Sequence, residues 1–154
     1  MSVPGDEREV GIDDPQQRAR GRREALHGAL VDLEEALSRP TGSGEPWRSR
    51  VRAAIEAMHT TLEAHVRDAE GPDGLLAQII EEEPVFGPRV AAVKGEHREL
   101  LEQSEALVER SREGMPPDEL RSAGLGLLDR VSRHRHRTAD LLYDVYELDL
   151  SAGD

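Results

Sequence analysis

"VRAAIEAMHTTLEAHVRDAEGPDG", residues 51–74, carries Val51, Ile55, Met58, Leu62 and Val66 at intervals of three and four, then stops at two glycines around a proline. That spacing lines the apolar side chains along one stripe of a helix. Gly71 caps its end, and Pro72 bars continuation. The same punctuation recurs on either side, as "RPTGSGEP" at 39–46 and "GMPP" at 114–117. It predicts long helices over 18–38, 46–70, 88–113 and 117–147, with a short helix at 74–82. The other long segments carry stripes of their own: Leu26, Leu30, Leu33 and Leu37; Val90, Val93, Leu100 and Leu107; Leu120, Leu127, Val131, Leu142 and Val145. No strand-like alternation intervenes. The expectation is all-α, an up-down-up-down antiparallel four-helix bundle over 18–147. A polar tail at 1–17, too poor in apolar residues to order itself, precedes it, and a flexible C-terminus at 148–154 follows.

A chain of 154 residues suits one domain. With 20 basic against 32 acidic residues its net charge is −12, which disfavours nucleic acid and anionic membrane as partners. No protein partner is legible. Cysteine is absent, so thiolate metal sites, Fe–S clusters and cysteine nucleophiles drop out and any metal must use His, Asp or Glu. The start lacks a signal-peptide pattern and no long apolar run follows, which points to the cytoplasm.

Six histidines then become the candidates for chemistry. At about 100° per residue, each can be placed against the stripe of its own helix. His65, His97 and His134 fall within roughly 40° of the core direction, His27 about 100° off it and His136 about 160° away. His97 lies about 16 residues before its helix ends and His134 about 17 after the next begins, so an antiparallel hairpin sets them at one level; His65 lies near that level too. A lone inward histidine is ordinarily a hydrogen-bonded core residue. Several at one level need partners for their ring nitrogens, and a divalent metal would serve several at once. A second register, His59/Glu63 with His136/Asp140, offers i,i+4 pairs but lies off the stripe.

These residues resemble the haemerythrin-like family, four-helix bundles that hold a non-haem di-iron site. The resemblance covers about 22–147 and rests on "LHGALVDLEEAL" with His27, "LEAHVRDAEGPDGLL" with His65 and Glu70, "GEHRELLEQ" with His97 and "RHRHRTADLLYDVYELDL" with His134. It implies His27, His65, Glu70, His97 and His134 as metal ligands, iron as the metal, and a small diatomic ligand such as dioxygen or nitric oxide. This chain has Leu101 where the family often has a second histidine in the third helix, and Thr138 and Ala139 where the fourth usually has a carboxylate. Two other readings stand beside a metal-binding protein: a metal-free bundle acting through protein contacts, and a peroxidase-like oxidoreductase. No nucleophile, phosphate loop or catalytic dyad is recognisable.

Three further stretches have plainer readings. "RGRRE" at 20–24 could form a basic patch, but in so acidic a chain it is expected to pair with neighbouring acids along the helix surface. Trp47 is expected to pack at one end of the bundle. Tyr143 and Tyr146 could line a pocket above His134, with packing the plainer expectation.

Overall fold

The computed structural model describes residues 15–40 and 45–152. Of the expected N-terminal tail, residues 1–14 lie outside the described residues, as do 41–44 of the first connector and 153–154 at the C-terminus. Every described element is helical: α1 (Pro15–Ser38), α2 (Glu45–Glu70), α3 (Leu75–Glu82), a 3₁₀ turn (Pro84–Phe86), α4 (Gly87–Arg112) and α5 (Pro117–Ala152). The long helices pack in a closed ring, α1 on α2, α2 on α4, α4 on α5 and α5 on α1. That ring is an all-α bundle.

The core follows the spacing. In α4, Val90, Val93, His97, Leu100, Ser104, Leu107 and Ser111 are buried, alternating steps of three and four. In α5, Leu120, Leu127, His134 and Leu141 recur every seven residues, all buried. A helix whose core positions repeat this way keeps one seam facing its neighbours along its length. A histidine in the seam is therefore carried inside as surely as a leucine. In α5 Leu141 is buried where Leu142 was expected, and Leu142 packs half-covered beside it.

Two glycines hold the connections. Gly114 closes α4 with a positive φ of 83°, a left-handed turn that costs glycine little. Gly74 ends the "GPDG" turn pressed onto the last carbonyls of α2; a Cβ there would lie 2.4 Å from the Asp68 oxygen. The tight turn folds α3 back over one end of the bundle. Leu76 and Ile79 then join Val90, Val93 and Leu141 in a small second core, apart from the main one that runs from Leu26 to Val131.

α5 continues to Ala152, through the segment expected to be a flexible C-terminus from 148. No proline or glycine follows Pro117 after Gly126 until Gly153, so nothing in the sequence stops the helix earlier. Trp47 is buried, with the Arg121 guanidinium 5.3 Å from its ring centroid. Tyr143 and Tyr146 are not in the core: both are exposed, and they line an open pocket between α5, α1 and α3. No helix among the described residues is long and apolar enough to cross a membrane.

Candidate metal centre

Three histidines from three helices meet inside the bundle. His65 of α2, His97 of α4 and His134 of α5 are 7%, 1% and 2% exposed. Their ring centroids lie 5.3 Å (65–97), 5.8 Å (65–134) and 4.7 Å (97–134) apart. Each offers one nitrogen such that all three nitrogens lie within 4.8 Å of one another. Side by side on the α4 and α5 seams, His97 and His134 make the closest pair, as their matched depth predicts.

What stands behind the rings sets their chemistry. His97 Nδ1 is 3.0 Å from a Glu70 carboxylate oxygen, and His134 Nδ1 is 2.9 Å from one of Glu96. A carboxylate accepts only, so each imidazole donates from Nδ1, and in its neutral form keeps its lone pair on Nε2. Those Nε2 atoms are buried and have no hydrogen-bond partner; neither does the buried Nδ1 of His65. Three unpartnered ring nitrogens on three converging histidines are a costly arrangement for a plain core, because each buried polar atom left unpaired costs about 1–3 kcal/mol. The carboxylate–histidine pairing is also how metal-ligating imidazoles are oriented.

Burial, and then the neighbouring imidazole of His134, push His65 down to about 4; burial, followed by His134 and His65, pushes His97 down to about 3. Both are therefore neutral at pH 7, the form in which an imidazole can bind a metal. The two carboxylates differ. Burial raises Glu70 above the usual carboxylate range despite Lys94 and Arg98. For Glu96 burial acts upward too, but hydrogen bonds with His134 and Arg137 outweigh it and hold it low.

Of the five residues that the resemblance implied as ligands, the fold brings together His65, His97 and His134. Glu70 is adjacent but turned to the outer nitrogen of His97, on the side away from the cluster. Its position explains this: it is the last residue of α2, a turn beyond His65 and well round the helix from it. His27 is exposed on α1 and stands outside the cluster, because its helix turns Leu26 and Leu30 inward instead. Glu96, whose place on the flank of α4 made it a possible metal carboxylate, is the hydrogen-bond partner of His134. It precedes the inward His97 by one residue, so its side chain leaves α4 toward α5. That adjacency was a readable signal.

The other register does not assemble. His59 and Glu63 pair with each other at 3.1 Å, and His59 Nδ1 shares a 2.7 Å hydrogen bond with Ser104 Oγ, while His136 and Asp140 are exposed. The arginines of "RGRRE" also depart from expectation. Among the described residues Arg20, Arg22 and Arg23 have no ion pair; Arg20 and Arg23 line the α1–α5 groove, whose one acid is Glu24, and Arg18, just before, bridges to Asp68 at 3.6 Å.

Two spaces adjoin the cluster. A chamber of about 30 Å³ touches His65 and His97 and is walled mainly by Leu76, Ile79, Val93 and Leu141, with Thr138, Arg22, Arg23 and Asp68 also lining it. A larger groove of about 500 Å³, open to solvent between α1 and α5, reaches His65 and His134. No family model matches the chain, and neither the curated proteins nor the solved structures include a significant match to it.

Proposed function

We propose that this chain is a non-haem metal-binding protein with a haemerythrin-like, up-down-up-down bundle, in which His65, His97 and His134 hold a single divalent ion. The observation that carries this reading is the set of three buried, unpartnered ring nitrogens on converging histidines, two of them oriented from behind by carboxylates. Metal–imidazole bonds of about 2.0–2.1 Å would bring the three nitrogens to about 3.4 Å from one another, so they would draw together slightly on binding. Glu70 and Glu96 are engaged at the outer nitrogens, so the arrangement supports one ion in place of the family's pair. Imidazole-rich sites suit iron, zinc, nickel and copper, and the resemblance argues for iron.

Three protein ligands leave coordination positions open, and there the ion would supply Lewis-acid or redox binding of a small ligand. The chain's own contribution is the surroundings. The apolar chamber beside His65 and His97 has room for about two waters, or for one diatomic molecule, and its walls of Leu76, Ile79 and Val93 admit an uncharged guest readily. Binding or sensing dioxygen or nitric oxide is the function these features support.

The test is anaerobic loading of untagged protein with Fe(II), and separately with Zn(II), followed by metal analysis and thermal melting. We expect one ion per chain. Melting should shift upward by the equivalent of about 2.7 kcal/mol at a hundredfold excess over Kd. Protein that retains no metal and melts unchanged would refute the reading.

A further inference from the structure

The groove between α1 and α5 differs from every other approach to the histidines. Its rim carries Arg20, Arg23 and Arg135 against one acid, Glu24, in a chain whose net charge is −12. Among the described residues none of these three arginines has a carboxylate within ion-pairing distance. A third cavity, of about 250 Å³ on the α4–α5 side of His134, is lined by three arginines too, and there each is neutralised: Arg130 by Glu99 at 2.9 Å, Arg133 by Asp129 at 3.1 Å and Arg137 by Glu96. Paired arginines present little field. Unpaired ones around a concave opening concentrate anions at its floor. Arg23, half-buried, is held below its usual range by burial and then by Arg20, only partly offset by Glu24, so its surroundings favour an added negative charge.

At the floor of this groove lie His65 and His134, and His65 is the most exposed of the three. Thr138 borders both the groove and the apolar chamber, with its hydroxyl already donated to the His134 carbonyl at 3.0 Å. The groove reaches His65 and His134 past charged side chains, whereas the chamber reaches His65 and His97 between mostly apolar walls, with Arg23 lining both.

We propose that the α1–α5 groove is an anion entrance to the histidine centre, and that Arg20, Arg23 and Arg135 recruit a small oxyanion of the nitrite or formate class to the open position of the bound ion. This inference rests on the metal-binding reading. It adds a charged ligand class, delivered past His65 and His134, to the uncharged one suited to the chamber.

The experiment uses full-length protein loaded with Co(II), whose visible absorption responds to a change in coordination, titrated with sodium nitrite. Wild type is compared with Arg23→Gln/Arg135→Gln, with Arg20→Gln alone in case the double variant folds poorly, and with Glu24→Gln. The double variant should weaken nitrite binding about tenfold or more, and Arg20→Gln about threefold. Glu24→Gln should strengthen it about twofold, since attraction between exposed charges is modest. Cobalt affinity should stay the same throughout. Equal nitrite affinity in all four proteins, or no spectral response to nitrite, overturns the entrance and leaves metal binding intact. Failure to take up cobalt at all overturns both.

Discussion

Three histidines of this chain lie inside the bundle and three outside, and the two sets share helices: His65 with His59 on α2, His134 with His136 on α5. Residue type and local sequence hardly distinguish them. Both sets include a carboxylate contact, since His59 pairs with Glu63 much as His97 pairs with Glu70. The difference is helical phase. An inner histidine sits in the seam: at His97 and His134 one nitrogen has found a carboxylate and the other is left with nothing to bond, and His65 has a buried Nδ1 with no partner. An outer histidine has water for whatever its neighbours leave unpaired. The inner set is thus distinguished by buried ring nitrogens that lack any partner.

The largest test of that contrast removes rings. His97→Ala or His134→Ala should weaken metal binding by well over a hundredfold, more than the loss of a group behind a ligand causes. His27→Ala and His136→Ala should leave it within twofold, by isothermal titration. Equal losses in both sets would abolish the distinction.

Acid provides the next effect. The His65 and His97 rings are held neutral, at about 4 and about 3, whereas in the unfolded chain they take up protons near their ordinary 6.5. The unfolded state therefore binds more protons as the pH falls. The stability these rings confer is fully present above about pH 6.5 and is lost progressively toward pH 4, with His65 alone contributing of the order of 3 kcal/mol. Urea midpoints of metal-free protein between pH 7.5 and 4.5 would show it, and His65→Phe should flatten the profile. A midpoint that does not move with pH would contradict the burial of these rings.

Smaller again is the effect of the carboxylates behind the rings. Glu96→Gln and Glu70→Gln should each reduce metal affinity about 10–100-fold with the fold retained. If Glu70 were instead a ligand in its own right, its loss would match that of His97. The smallest effect belongs to the outer set: His59→Ala leaves the buried Ser104 hydroxyl with only its bond to the Leu101 carbonyl and should cost about 1 kcal/mol in a denaturation midpoint, with metal affinity unmoved.

Much of this was legible in the residues. The stripe in residues 51–70 gave a helix, and the same phase that buried Leu62 put His65 inside and His59 at the edge. Depth along the helices matched His97 to His134. What phase could not supply was rotation of side chains at helix ends and across to neighbours. Glu70, assigned by resemblance to the ligand set, is turned to the back of His97 because α2 ends there. The arginines of "RGRRE" looked like surface charges with nearby acids, but which acids lie within reach depends on α5 across the groove. Tyr143 and Tyr146, by contrast, line an open pocket between α5, α1 and α3 and stay exposed.

Glu70 is the final residue of α2, held in place by the turn that Gly74 pins against the carbonyls of Asp68 and Ala69. Helix ends are where backbone hydrogen bonds open first, at free energies far below that of global unfolding. Each opening of that last turn withdraws the acceptor from His97 and lets its ring rotate, with the rest of the bundle undisturbed. Amide exchange at 67–70 would accordingly report on how often the centre loses its alignment, and ion exchange at the centre would be timed by fraying of a single helical turn.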